Sequence, residues 1–226
     1  ERLKKNKNII FFTDIKDLNT NNSFIFNSVP SFKNNSNNLW QHFYGIEIET
    51  QDNFFNDKIF SLMDFDCEQR NNVHFFFTLP YDGKKALIET TWLSTINDNL
   101  LKDYSNQIKD YISNSLGLKN YKITYNEEGS IPMFYATNFR EKNKINIGIA
   151  AGMTRLSTGY TFLNIQEQSK YIRQNIENIE NSRIFNVGKK YKFLDKIFLR
   201  VLKTYPRRMP NIFFSMFSNS SHSIIK

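Results

Sequence analysis

The chain has 226 residues and a net charge of +8, with 40% hydrophobic and 15% aromatic residues and only 8 glycines and 5 prolines. That length suits one large domain or two small ones, and the apolar content excludes a wholly disordered or collagen-like chain. A lone Cys67 excludes an internal disulfide framework and multi-cysteine metal centres, and His42, His74 and His222 lack metal-ligand spacing, so no metal is expected.

Residues 9–13 and 23–28 are apolar, β-prone runs and are expected to form short strands. The Asn-rich segment 33–38 reads as an exposed loop and a crossing between structural units. Strands are expected over 43–50, 58–65, 73–79 and 85–92. The link Pro80-Tyr81-Asp82-Gly83 has turn chemistry and makes the last two a hairpin. The stretch reads as an antiparallel sheet with one strongly apolar face.

Residues 98–116 switch to helical spacing, marked by Leu100, Leu101, Tyr104, Ile108, Tyr111, Ile112 and Leu116, with Gly117 after the helix end. Strands return at 121–127 and 131–136 around Gly129, with Glu127-Glu128 in a solvated turn. A short buried strand is expected at 145–151, a helix from Tyr160 and another over about 190–205. Cys67 has no partner that supports a nucleophilic role.

The charge is local. Residues 189–208 hold eight basic side chains against one acid, Asp195, so the rest of the chain is nearly neutral. Leu194, Ile197, Phe198, Val201, Leu202 and Tyr205 fall on one helical face, and Lys192, Lys196, Arg200, Lys203 and Arg207 form a separate stripe. The apolar cluster 212–217 follows. Two readings stay open: a solvated face on a packed helix, or a peripheral contact with a membrane lipid surface. The basic residues alternate with aliphatic rather than stacking residues, so nucleic acid is not expected. No apolar run is long enough to span a bilayer as a helix.

Five segments stand in a telling order. They are Gln41-His42-Phe43-Tyr44-Gly45-Ile46-Glu47-Ile48-Glu49-Thr50; Leu62-Met63-Asp64-Phe65; Phe77-Thr78-Leu79-Pro80-Tyr81 with Ala86-Leu87-Ile88-Glu89-Thr90-Thr91; Glu127-Glu128-Gly129-Ser130-Ile131-Pro132; and Gly148-Ile149-Ala150-Ala151-Gly152 with Ser157-Thr158-Gly159-Tyr160. In this order and spacing the chain resembles the lycopene cyclase family, flavoproteins that close the end rings of carotenes.

The resemblance implies an α/β fold in which a mostly antiparallel substrate-domain sheet joins an incomplete FAD/NAD(P)-binding Rossmann-like domain and C-terminal helices. It implies a remnant of the FAD domain at 1–38, a substrate domain at 39–140, a return to the FAD domain at 141–182 and a basic helical region at 183–226. No G-x-G-x-x-G occurs, so residue 1 is expected to lie inside a longer chain whose N-terminal FAD half is absent here.

The implied activity is conversion of lycopene, or a related acyclic carotene, to a ringed product by protonation, cyclisation and deprotonation. The reaction has no net redox change; FAD in its reduced form is the cofactor and NAD(P)H the reductant. The enzyme would be cytoplasmic and peripheral on the membrane. Glu89 would be the acid, because a carboxyl desolvated in an apolar channel keeps its proton and can donate it. By alternation alone Glu89 is an outward-facing strand residue. The family motif is often an acidic pair, but Thr90 follows Glu89 here. Gly148, Ala151, Gly152, Thr158, Gly159 and Tyr160 resemble the second flavin-contacting motif of the superfamily, where glycines allow close approach and a helix start attracts polar cofactor groups. Alternatives are a related lipid-acting flavoprotein monooxygenase or reductase, and a non-enzymatic membrane-surface lipid-binding module.

Overall fold

The computed structural model describes residues 3–14, 23–32, 37–96, 103–136 and 143–220. In chain order its main elements are β1 (Ile25–Asn27), β2 (Leu39–Glu49), β3 (Ser61–Asp64), β4 (Val73–Pro80), β5 (Lys85–Thr95), α1 (Tyr104–Asp110), β6 (Lys122–Pro132), β7 (Lys144–Asn146), α2 (Phe162–Gln174), α3 (Lys189–Thr204) and α4 (Met209–Ser218). The fold is therefore mixed α and β. Strands β2 to β6 make a five-stranded antiparallel sheet in the order β3-β4-β5-β2-β6, with β5 at its centre. β1 and β7 form a separate parallel pair that joins the segment before the sheet to the segment after it, Ile25 opposite Lys144 and Asn27 opposite Asn146.

Successive side chains of a strand point to opposite faces, so the register sorts the sheet residues into two sets. One face carries Ile46, Ile48, Phe76 and Ile88, closed over by Ile108 of α1, Tyr111 and Ile112 of the π-turn Tyr111–Ser115 that extends it, and Leu118. Ile48, Ile88 and Ile112 are wholly buried, each worth about 1.5–3 kcal/mol of burial. The same face holds a buried polar network. His42 bonds Tyr104 Oη at 2.6 Å and Ser94 Oγ at 2.7 Å. His74 Nε2 lies 2.8 Å from Thr90 Oγ1, and its ring stacks on Trp92 with centroids 3.9 Å apart. Trp92 Nε1–H donates to Gln107 Oε1 at 3.0 Å. Burial pushes the His74 ring down to about 4, so it is neutral at pH 7.

The other face carries Phe75 and Phe77 of β4, Leu87, Glu89, Thr91 and Leu93 of β5, Gln41, Phe43 and Gly45 of β2, and Glu127 and Gly129 of β6. Its Val73–Leu93 end is covered by α3 and α4 through Leu202, Met209 and Phe213. Phe77, Leu87, Glu89 and Glu127 lie beyond that cover and are half-buried.

Several elements differ from the sequence expectation. Residues 9–13 form no strand; they are exposed and have no partner strand among the described residues. The two strands expected around Gly129 are one, β6, and Glu127-Glu128 lies within it rather than in a turn. The ring of Phe43 fills the space beside Gly129: an added Cβ there would sit 2.7 Å from Phe43 Cζ. Thus glycine marks a close approach inside the strand, not a break. The expected strand 145–151 ends at Asn146 and becomes a 3-10 turn, Gly148–Ala151. The π-turn ends the first helix at Ser115; Leu100 and Leu101, expected on its apolar face, lie outside the described residues, as does most of the 33–38 loop. On α3 the expected apolar face is divided. Leu202 is buried and Phe198 and Val201 pack beneath the sheet, whereas Leu194, Ile197 and Tyr205 are exposed.

Candidate active site

Glu89 sits on the central strand in a row that runs Phe77, Glu89, Gly45, Glu127 across four strands. Thr91, two residues on and on the same face, donates its hydroxyl to Glu89 Oε1 at 2.6 Å, which fixes the carboxyl. Burial raises the Glu89 carboxyl above its ordinary range; the Thr91 bond opposes this, and the Glu127 carboxylate adds to it. Gly45 puts no side chain of its own between the two acids, and the Leu87 side chain lies over it. A Cβ there would lie 3.3 Å from Leu87 Cδ1, 3.4 Å from Glu127 Cγ and 3.6 Å from Glu89 Cβ. The arrangement is a half-buried acid with retained proton affinity, walled by Leu87 and Phe77.

The Gly148–Tyr160 segment follows the parallel strand β7. Gly148, Ala151 and Gly152 come together in one turn, with Gly148 at φ +57° and Gly152 at φ +72°, backbone that favours glycine. The Gly148 N–H is already held by Gln168 Oε1 at 2.8 Å. Thr158, Gly159 and Tyr160 form the next loop: Gly159 is buried at φ +74°, while Thr158 and Tyr160 are exposed. The helix starts at Phe162, not at Tyr160, and its N-cap Thr161 makes no side-chain cap bond, so its first amides carry no side-chain acceptor from the cap.

This loop meets the sheet on the face that bears Glu89. A Cβ on Gly159 would stand 2.5 Å from Gln41 Oε1 of β2. Gln41 pairs with Leu93, four residues from Glu89 along β5, so the loop and the acid lie about 13 Å apart along the strand.

A clamp fixes the loop from behind. Asp195 of α3 is 1% exposed. It accepts from Arg155 Nη2–H at 2.8 Å, Arg155 Nε–H at 3.1 Å, Ser157 Oγ–H at 2.7 Å and the Leu156 N–H at 3.3 Å. Burial alone would raise this carboxyl, but the bonds from Arg155 and Ser157 hold it below its ordinary value. The Arg155 guanidinium also lies over the Tyr191 ring, 4.7 Å from its centroid. The one acid in the basic run thus ties α3 to the glycine loop.

The model of the lycopene cyclase protein family matches residues 5–219. The chain belongs to the lycopene cyclase family. No curated protein matches it. Among solved structures it is similar to a geranylgeranyl bacteriochlorophyll reductase-like protein from Thermoplasma acidophilum, at 17% identity and a TM-score of 0.48, over 73% of this chain and 40% of that one. It is also similar to p-nitrophenol 4-monooxygenase from Pseudomonas putida, at 13% identity and a TM-score of 0.39, over 88% of this chain and 48% of that one. The chain thus spans under half the length of these structures.

In this lycopene cyclase family member, sequence reasoning missed two residues. Glu127 was read as part of a turn, and only the strand register brings it across from Glu89. Asp195 is the sole acid among basic neighbours in the sequence, and its partners Arg155 and Ser157 lie about 40 residues earlier. Burial and the nearby Asp64 and Asp66 carboxylates push the Cys67 thiol up to about 12, so it stays protonated.

Proposed function

We propose that this chain is the substrate-binding part, with a portion of the cofactor-binding part, of a flavin-dependent enzyme that closes the end rings of lycopene or a related acyclic carotene. The observation that carries the reading is the position of Glu89. It is a half-buried carboxyl with raised proton affinity, on the same sheet face as a glycine loop of the kind that approaches a flavin. Family membership supports the reaction class, and the β1–β7 pair with the glycine turn is the proposed contribution to the cofactor domain.

The residues present fit a flavin. Gly152 and Gly159 hold turns at positive φ that favour glycine, backed by Tyr135 and Gln41, and α2 starts without a side-chain cap. Thr158, Gly159 and Tyr160 would lie nearest the cofactor, with Gly148, Ala151 and Gly152 shaping the turn beneath it. When bound, reduced flavin supplies an electron-rich surface beside a developing cation without net electron transfer; NAD(P)H would keep it reduced.

Glu89 begins the reaction by giving its proton to C2 of the terminal double bond, which leaves a tertiary cation at C1. The C5–C6 double bond attacks C1, and loss of the C6 proton yields a β-ring. Phe77 and Leu87 exclude water, which would otherwise trap the cation. The apolar substrate would be drawn from a lipid surface. Phe193, Leu194 and Ile197 are exposed on α3 beside Lys196 and Arg200, a pairing suited to an anionic interface. Among the described residues no helix is long and apolar enough to cross a membrane.

The test is to incubate the intact protein with lycopene, FAD and NAD(P)H and identify the product. A ringed carotene of unchanged mass without oxygen uptake supports the cyclase. Stoichiometric oxygen and NAD(P)H consumption would point to a monooxygenase instead, and lipid binding without FAD retention to a non-enzymatic module.

A further inference from the structure

Ring closure needs two proton transfers, one to C2 and one from the ring, and the sequence motif at Glu89 supplies one carboxylate. We propose that Glu127 is the second: resting on the cyclase reading above, it accepts the proton that leaves the ring while Glu89 supplies the proton that starts it. The geometry comes from three strands. Gly45 of β2 pairs with Glu89 on one side and with Glu127 on the other, so both side chains rise on one face, with Leu87 Cδ1 over the glycine beside them. A Cβ on Gly45 would be 3.6 Å from Glu89 Cβ and 3.4 Å from Glu127 Cγ, so those two carbons lie no more than about 7 Å apart, the total of the two distances. Beyond Glu127 the sheet ends, β6 being its edge strand, whereas Glu89 is central. Burial on the central strand favours the protonated form of Glu89, and Glu127 lies at the sheet edge, nearer solvent.

The cycle balances. Glu89 as carboxylic acid gives H⁺ to C2 and becomes a carboxylate. The C5–C6 electron pair forms the C1–C6 bond and moves the cation to C5. Glu127 as carboxylate takes the C6 proton, and that C–H pair re-forms the C5–C6 double bond. Return of the proton from Glu127 to Glu89 resets both. Negative charge on Glu127 before the reaction also favours the protonated form of Glu89.

The experiment uses the intact protein with lycopene, FAD and NAD(P)H in deuterated water, comparing wild type, Glu89→Gln, Glu127→Gln and Glu127→Asp. Thermal unfolding verifies that each variant folds. Wild-type ring formation tests the cyclase reading first; an inactive wild type removes that reading and the proposal together. Given an active wild type, Glu127→Gln is expected to lose ring formation by about a hundredfold or more. The recovered lycopene should nonetheless gain deuterium, because Glu89 still protonates C2 and the cation reverts. Glu89→Gln should neither close the ring nor label the substrate, and Glu127→Asp should recover part of the activity. Wild-type turnover in Glu127→Gln, or loss of both turnover and labelling there, overturns the proposal and leaves the cyclase reading standing.

Discussion

Replacing Glu89 with Gln should raise stability and abolish activity, and the gain should depend on pH in a way the structure dictates. The folded carboxyl titrates above its ordinary value of 4.5, first because it is buried and then because Glu127 adds repulsion. As pH rises past 4.5 the unfolded chain releases this proton while the folded chain keeps it, so the unfolded state is favoured. The stability contributed by the protonated acid is complete below pH 4.5 and is lost progressively up to the raised folded value. The slope within that window approaches about 1.4 kcal/mol per pH unit. Glutamine has no proton to lose. For a chain of this size about 1 kcal/mol moves the unfolding midpoint by about 2–4 °C. The midpoint gap between variant and wild type should therefore widen by roughly 3–6 °C per pH unit across the window, then level off. Differential scanning calorimetry from pH 4 to 8 measures it, and product analysis on the same samples should show at least about a hundredfold loss of ring formation. Midpoint curves that run parallel at all pH values would show that Glu89 is not desolvated; near-normal turnover would remove it from the chemistry.

Asp195→Ala deletes the acceptor for Arg155 Nε and Nη2, Ser157 Oγ and the Leu156 amide, and leaves the Arg155 charge unpaired. Breaking such a pair typically costs about 3–5 kcal/mol, so the midpoint should fall by at least about 6 °C; an unchanged midpoint refutes the clamp. Gly159→Ala puts a Cβ 2.5 Å from Gln41 Oε1 at a φ of +74°, and FAD retained after gel filtration should drop, whereas full retention would separate this loop from the cofactor. His74, held near 4 against an ordinary 6.5, stays neutral when the unfolded ring charges. Stability should therefore fall by about 3 kcal/mol as pH drops from 6.5 to 4, and His74→Phe should flatten that part of the profile. Lys203 of α3 is bonded to Asn37, and Arg207 in the turn after it to Asn71, so replacing Lys189, Lys190, Lys196 and Arg200 with Gln tests the membrane contact more directly. Co-sedimentation with anionic vesicles at low salt should fall severalfold, and unchanged binding removes the electrostatic contribution.

The parts of the fold legible in the sequence are those with local causes. Alternation around Ile46, Ile48, Ile88 and Trp92 marks β2 and β5, and Asp82 Oδ1 accepts the Lys84 and Lys85 amides in the turn that makes the hairpin. The run at 9–13 has the same composition but no partner strand among the described residues, because strand formation depends on what lies beside the chain. Gly129 misled for a related reason: its meaning is the Phe43 ring, 86 residues away in sequence. Glu89 was reached through motif order, since an alternating strand offers equal reason to place a glutamate in solvent. Glu127 and Asp195 depend on pairings far apart in sequence, which composition and periodicity do not encode.

The strand geometry also explains why the second carboxylate has to come from elsewhere in the sheet. Residues 89 and 90 are neighbours on β5 and point to opposite faces. Thr90 is wholly buried beneath α1, where its Oγ1 donates to Gln107 Oε1 at 2.9 Å and lies 2.8 Å from His74 Nε2. An ionised carboxyl there would be enclosed by His74, Trp92 and Gln107, at a cost of several kcal/mol, and could not reach a substrate lying against Glu89. An acidic pair written consecutively on this strand would therefore place one acid at the site and one in the support beneath it. Thr90 keeps the support neutral and hydrogen-bonded. Residue 127, two strands over, shares Glu89's face across Gly45, with its Cγ within about 7 Å of Glu89 Cβ, and there the chain carries the acid.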